Sequence, residues 1–422
     1  VETLQASLGA ASLTRASGVH PDFLIIGGGI IGVCLAREVK RRFGDARVML
    51  IEKERACGLH ASGRNSGVLH AGFYYTADSL KARFTVEGNR ELTQYCQDRG
   101  LPINRCGKLV VARNEAELSG LDELMRRARV NGVTLESVSA EDARRIEPRV
   151  RTWERALFSP TTSSVDPRAV MAALCDDAAG SGVSLRTGVA YRGLRSGVVQ
   201  TSLGEQPAGY VINAAGLHAD RVARDFGFST DHRILPFKGV YLYGGDNEKL
   251  HTHVYPVPDL RYPFLGVHFT VRVDGRVKIG PSAIPAFWRE QYGGFGTFHL
   301  GECLEILRRE ADLFIRNDFE FRRLAAMELR KYSRRHLVGL AAQLVAGVDV
   351  MRYRRWGEPG IRAQLVNVKA RRLEMDFRFE GDERSFHVLN AVSPAFTCAM
   401  PFSRYVADRV GTLGRETGRT WG

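Results

Sequence analysis

The sequence predicts an α/β protein in which a Rossmann-like domain is interleaved with an α+β domain built on an antiparallel sheet. Three observations carry that prediction. A glycine-rich turn joins a buried strand to a helix near the start of the chain, inside one βαβ unit. A second strand-to-helix turn, "VINAAG" at Val211–Gly216, lies far downstream, as expected when one domain is assembled from separated segments. Residues 236–285 then change to β-rich patterning with a hairpin signal at Asp274–Gly275.

Taken in order, residues 1–20 are rich in Ala, Ser and Leu with one acid and one Arg. They faintly resemble an organelle transit peptide, and a disordered tail is the simpler expectation. "DFLIIGGGIIGVCLAREVKRRFGDARVMLIEKE" from Asp22 to Glu54 reads as strand, tight turn, amphipathic helix and strand. Gly27, Gly29 and Gly32 supply the G-x-G-x-x-G spacing, and Glu52 ends the second strand twenty residues past Gly32. In that context Gly27 allows the sharp turn, Gly29 lets the backbone meet a pyrophosphate, and Gly32 brings helix against strand. The helix N-terminus then faces the phosphates, and Glu52 accepts bonds from ribose hydroxyls. An acid at this position disfavours a 2′-phosphate and so NADP. NAD and FAD both remain open, and the glycine-lined "GRNSGVLHAG" after the second strand favours the larger tricyclic cofactor.

Residues 79–100 read as a helix, "KLVVA" at Lys108–Ala112 as a short strand, and "EAELSGLDELMRRARVNG" and "SAEDARRIEP" as helices, the latter capped by Ser139. A strand, a turn, a helix opening at Pro167 and a strand ending near Val189 follow. Residues 301–355 are helical and basic, with twelve Lys or Arg in 308–355 against six acids. The chain closes with "GIRAQLVN", a strand pair, the "SPAFT" turn and a last helix. Residues 21–105, 165–235 and 357–422 are assigned to the Rossmann-like domain, and 106–164 and 236–356 to the second domain.

At 422 residues the chain is long enough for two domains and a sizeable core. Apolar and charged fractions are those of a globular protein, which excludes disordered, collagen-like and coiled-coil classes. The seven cysteines are odd in number and show no C-x-x-C spacing, so neither a zinc site nor a disulfide framework is expected. No metal is expected, and a reducing compartment follows. The longest apolar run, Phe23–Ala36, is too short to span a membrane and carries four glycines. The net charge of +13 is compatible with an anionic substrate, an anionic membrane surface or nucleic acid. Its dispersal, without an aromatic-basic motif, disfavours nucleic acid.

"IIGGGIIG", "LIEKE", "HASGRNSGVLHAGFYYTADSLKARF", "CGKLVVA", "VINAAG", "PFKGVYL", "YPVPD", "FLGVHFT", "GPSAIPAFWREQY", "GIRAQ" and "NAVSPAFT" stand in the order found in L-2-hydroxyglutarate dehydrogenases/oxidases. The chain therefore resembles that family, which belongs to the wider D-amino-acid-oxidase-like group of FAD enzymes, from about Asp22 to Val410. The resemblance implies an FAD-binding domain of the glutathione-reductase-2 type. It also implies hydride transfer from Cα of an L-2-hydroxy acid to flavin N5. Gly27, Gly29, Gly32, Glu52 and Lys53 would hold the ADP half of FAD. Ser62, Asn65 and Ser66 would line the flavin, Val189 and Gly216 would support it, and the loop at Ser393 would close beside it.

By the same resemblance His70 is the candidate base. An unperturbed imidazole pKa of about 6.5 suits proton uptake near neutrality. A substrate hydrogen-bond donor, or a buried histidine bonding a carbonyl, are the competing readings. His268 is the second candidate. A dicarboxylate needs two cationic clamps: Arg362 can pair bidentately or contact flavin O2, with Lys238 and Arg64 as further candidates. Tyr74 and Tyr75 would bond a carboxylate or pack. Relatives read "HQTGHNSG", "AFKREGY" and "SPAAT" where this chain has Arg64, Trp288 and Phe396. These departures keep the flavin and open the choice of acid, including a bulkier one stacking on Trp288. A quinone or oxygen would reoxidise the flavin. The basic helical segment is a solvated face or a patch for anionic lipid, so the chain is expected in the cytoplasm, at the inner face of a membrane, or in mitochondria. An amine or amino-acid oxidase of the sarcosine/glycine type and a nucleic-acid-binding flavoprotein are the rival functions.

Overall fold

Strand Phe23–Ile26, helix Ile30–Arg42 and strand Val48–Glu52 open the computed structural model, which describes residues 20–260 and 266–416. The tail expected over 1–20 lies, apart from His20, outside the described residues. All four residues of the first strand are buried because both faces of its sheet are covered. Phe23 and Ile25 pack into a core with helices Ile30–Arg42, Leu80–Asp98, Pro167–Gly180 and Ala395–Glu416. Leu24 and Ile26 face the other way, into a cluster with Val189, Val199 and Val222. The six-stranded sheet runs Arg378–Gly381, Ser385–Asn390, Tyr210–Asn213, Phe23–Ile26, Val48–Glu52, Ser184–Thr187. All its pairings are parallel except the hairpin at one edge.

Helix starts follow their capping residues. Ser79 and Ser139 accept from the amides of Ala82 and Asp142, and Asp166 caps the helix that begins at Pro167.

An eight-stranded sheet draws its strands from Lys108–Ser159 and Leu242–Trp356. It departs from the expected antiparallel sheet in one pair, because His253–Pro256 runs parallel to Lys108–Val111. The sequence joins these two strands only through a long connection that includes the 165–235 segment of the other domain, so no hairpin dictates their direction. A third sheet is built on a ribbon in which His232–Gly239 pairs antiparallel with Gly360–Asn367 along its full length. That ribbon runs straight across positions 235 and 236, where the sequence reading placed a boundary. It sets Gly239 opposite Gly360, and Phe237 opposite Arg362. No helix among the described residues is long and apolar enough to cross a membrane.

Candidate active site

The first turn is shaped by two glycines. Gly27 has φ +110°, and a Cβ there would lie 2.5 Å from the Ala214 carbonyl oxygen. A Cβ on Gly32 would lie 1.9 Å from the Gly27 carbonyl oxygen, so the helix rests directly on the turn. Glu52 reaches back to this turn. Its Oε2 accepts from the Gly28 amide at 2.7 Å and its Oε1 from the Glu54 amide at 2.9 Å. An ionised carboxylate has about four acceptor sites, so capacity remains for ribose hydroxyls. Ser62 Oγ accepts from the Ile30 amide at 2.9 Å, fastening the following loop to the helix N-terminus.

A cavity of about 910 Å³ starts at this turn. Gly27, Gly29, Glu52, Lys53, Ser62, Arg64, Asn65, Ser66, His70, Val189, Gly216, Arg362 and Ser393 all line it. Its size suits a large ligand held between domains. Lys53 is committed to ion pairs, with Nζ 2.6 Å from Glu54 Oε1 and 2.9 Å from Glu290 Oε1. His60 completes a group with Glu54 and Glu290 whose ligand atoms could hold a metal ion, although the Lys53 ammonium already bonds both carboxylates. Asn65 folds its own loop, donating to the Ser62 carbonyl at 2.7 Å and accepting from the Gly67 amide at 2.8 Å. Arg64 donates to the Leu59 carbonyl at 2.8 Å and lies over the Tyr292 ring. Arg362 donates to the Ser282 carbonyl at 2.9 Å.

His70 follows the short strand Val68–Leu69, and its amide donates to Thr397 Oγ1 on the last helix at 3.2 Å. Its ring is buried and Nδ1 has no hydrogen-bond partner among the described residues. Burial holds its pKa well below the ordinary 6.5, reinforced by the charges of Lys108 and His253, so the imidazole is neutral.

Five residues singled out in the sequence do not line the cavity. Gly32 acts beneath it, by packing. His268 stands in the eight-stranded sheet, its Nδ1 2.7 Å from the Gly266 carbonyl and its ring stacked 3.6 Å from Tyr255. Tyr74 is buried with Phe73 against helix Leu118–Asn131. Tyr75 is half-buried beside Lys81. Lys238 precedes Gly239, which does line the cavity, and strand alternation sends the two to opposite faces. Trp288 does not line the cavity either, standing behind the lining residue Thr297. It is buried among Phe295 and Phe298 and donates to Thr297 Oγ1, so it is not placed to stack on a ligand there. Phe396 does line it.

The sequence reading missed Tyr241, which lines the cavity on the residue after Val240. The alternation of "GVYLYGG" marks a strand but not which face meets a ligand. It also missed Tyr292, which bonds His60 Nδ1 at 3.0 Å across the loop.

The residues present fit an FAD. Glycines clear the backbone at the helix N-terminus, an acid stands at the end of the second strand, and a partnerless imidazole lines the same cavity. Residues 22–409 match the family described as FAD dependent oxidoreductase. L-2-hydroxyglutarate dehydrogenase of Escherichia coli K12 is 35% identical over 399 residues, covering 93% of each chain. The human protein, "L-2-hydroxyglutarate dehydrogenase, mitochondrial", is 34% identical over 92% of this chain and 88% of its own. Among solved structures, FAD-bound L-alpha-glycerophosphate oxidase from Mycoplasma pneumoniae superposes with a TM-score of 0.74 at 22% identity, covering 93% of this chain and 95% of that one. Glycine oxidase from Geobacillus kaustophilus gives a TM-score of 0.68 at 21% identity over the same shares, and both likenesses show the fold. With its cofactor cradle in place and residues 22–409 matched in this way, the chain belongs to the FAD dependent oxidoreductase family.

Proposed function

We propose that the protein oxidises an L-2-hydroxy acid, with L-2-hydroxyglutarate giving 2-oxoglutarate as the best-supported reaction. The observation that carries this reading is the neutral, partnerless imidazole of His70 in the same cavity as the FAD cradle. The relatives named L-2-hydroxyglutarate dehydrogenase support the choice of substrate. FAD, when bound, supplies the hydride acceptor. The rest falls to this chain. The His70 imidazole takes the hydroxyl proton as the Cα–H bond breaks, because burial keeps it unprotonated. Arg362 holds the carboxylate beside the reacting carbon, and the helix N-terminus with Glu52 anchors the cofactor's ADP half. Turnover with L-2-hydroxyglutarate, L-malate, L-lactate, sarcosine and glycine tests the reading. The 2-hydroxy acids, led by L-2-hydroxyglutarate, should be consumed, and turnover of the amines alone would replace it with the amino-acid oxidase reading.

FAD is held without a covalent bond in this proposal. Cys398 is buried with Sγ 3.3 Å from Thr85 Oγ1, its thiol is pushed up to about 12 by burial, and it does not line the cavity. Acid precipitation should therefore leave the yellow colour in the supernatant. Colour retained by the washed pellet would contradict this.

The electron acceptor is a membrane quinone reached from the cytoplasmic face. Phe295, Leu300 and Ile315 are 79%, 63% and 70% exposed; Arg308 and Arg316 are exposed on helix Leu300–Arg316, and Arg322 and Arg323 on the next helix, Phe321–Arg330. Apolar side chains flanked by cations suit insertion into an anionic lipid surface. Sedimentation with phosphatidylglycerol vesicles should capture the protein at low salt and release most of it when Phe295 and Leu300 are both changed to Glu. No capture at low salt would leave oxygen or a soluble acceptor.

A further inference from the structure

Two cavity residues, His70 and Tyr241, also face a group of polar side chains buried in the eight-stranded sheet. Lys108 is at its centre. The residue is fully buried, and its Nζ lies 4.5 Å from the centroid of the Tyr255 ring, 5.1 Å from that of Tyr74 and 5.4 Å from that of Phe73. Nζ has no hydrogen-bond partner among the described residues, and neither have the Tyr74 hydroxyl or His70 Nδ1. The charge of Lys108 acts on His70, and Tyr255 is within electrostatic reach of Tyr241.

Of the other buried lysines, Lys331 is ion-paired with Glu328, Lys81 feels the charge of Asp376, and Lys278 feels that of Asp274 against the opposing charge of Arg272. The ionisable group acting on Lys108 is the Cys106 thiol, which burial pushes up to about 11 and so keeps uncharged. A buried ammonium surrounded by donors and ring faces, with no anion, is costly to maintain. Three ammonium protons and a hydroxyl are the donor set that a carboxylate requires. Arg362 supplies one clamp in the cavity, whereas Lys238 lies off it and Arg64 already faces the Glu358 carboxylate, 3.9 Å from its Nη1, and the Tyr292 ring.

We propose that Lys108 is the second carboxylate-binding residue, receiving the distal carboxylate of a dicarboxylic substrate past Tyr241 and His70, with the Tyr74 hydroxyl beside it. This specificity role rests on the 2-hydroxy-acid reading. It adds a consequence to it: neutralising Lys108 removes a charge that holds His70 unprotonated, so a correctly sized substrate strengthens the base it will use.

The test is ligand binding to the oxidised holoenzyme, read by perturbation of the flavin spectrum. Glutarate and butyrate share a chain of similar length and differ in the second carboxylate. The native protein should bind glutarate about 30- to 100-fold more tightly than butyrate. Lys108→Met should erase that ratio with butyrate affinity and flavin content unchanged, and Lys108→Arg should restore part of it. Equal affinities in the native protein, or equal weakening of both ligands in Lys108→Met, would overturn the proposal and leave Lys108 a packing residue. Should Lys108→Met not accumulate as holoenzyme, calorimetry of the native protein decides. Burial lowers Lys108 to about 7, while His70, His253 and His268 are held neutral and Tyr74, Tyr255 and Cys106 are raised. Glutarate should then take up close to one proton at pH 8 and much less at pH 6, and no uptake at pH 8 overturns the proposal. A native protein that binds glutarate selectively yet oxidises no 2-hydroxy acid would refute the proposed reaction without touching Lys108.

Discussion

His70→Asn lowers kcat for L-2-hydroxyglutarate by about 10²- to 10⁴-fold, the range associated with loss of a positioned general base. Asparagine is close in size and keeps a hydrogen-bonding group in a buried site, so the flavin spectrum and FAD content should stay at native levels. The backbone bond from residue 70 to Thr397 Oγ1 does not depend on the side chain and should persist. The pH dependence separates base from bystander. Burial disfavours imidazolium, so the folded pKa lies well below 6.5 and the ring is competent throughout the neutral range. Native kcat should therefore be flat from about pH 7 upward and fall only in acid, below the pH at which a free histidine titrates. The variant should lose that acid limb. Rapid-reaction kinetics of flavin reduction across pH provide the measurement. A native profile falling near the ordinary imidazole value, or a variant retaining most of the native rate, would remove His70 from the chemistry.

Gly32→Ala yields protein that cannot hold FAD, or that does not fold. The new Cβ would stand 1.9 Å from the Gly27 carbonyl oxygen, a backbone atom that no side-chain rotation moves. Gly27 cannot retreat, because its own amide bonds the Ile51 carbonyl at 2.9 Å and its Cα faces Ala214. Separating helix from turn would open the packing of Ile30, Ile31 and Val33 in the main core. A cost of about 4 kcal/mol or more is in the range of severe core overpacking and backbone strain. The ratio of flavin to protein absorbance after purification measures the first outcome and thermal unfolding the second. Gly44→Ala is the control: it sits on the same βαβ unit with no atom within 4 Å of the added Cβ, and should behave as native.

These two positions show what the chain discloses about itself. The glycine turn was legible because each of its constraints is local: strand, turn, helix and acid follow one another within a single βαβ unit. The loop from Ser62 to His70 was legible too, since its polar residues crowd among glycines, and it does line the cavity. The cross-sheet geometry was not. Whether Lys238 or Gly239 meets the cavity depends on the face the ribbon turns inward, which is fixed by its pairing with Gly360–Asn367 rather than by its own pattern. Likewise "KLVVA" marks Lys108 as the one cation of an apolar strand. Only the parallel neighbour His253–Pro256 brings Tyr255 over its ammonium. Trp288 illustrates the opposite error. A departure from the family pattern near a motif pointed to the pocket, and the aromatic cluster with Phe295 and Phe298 holds it elsewhere.

One anaerobic spectrum puts the central claim at risk most directly. Purified protein should be yellow, and L-2-hydroxyglutarate added without oxygen should bleach the oxidised flavin bands, one equivalent per bound FAD, while the D-enantiomer leaves them intact. Bands that survive L-2-hydroxyglutarate but disappear with sarcosine or glycine would contradict the account.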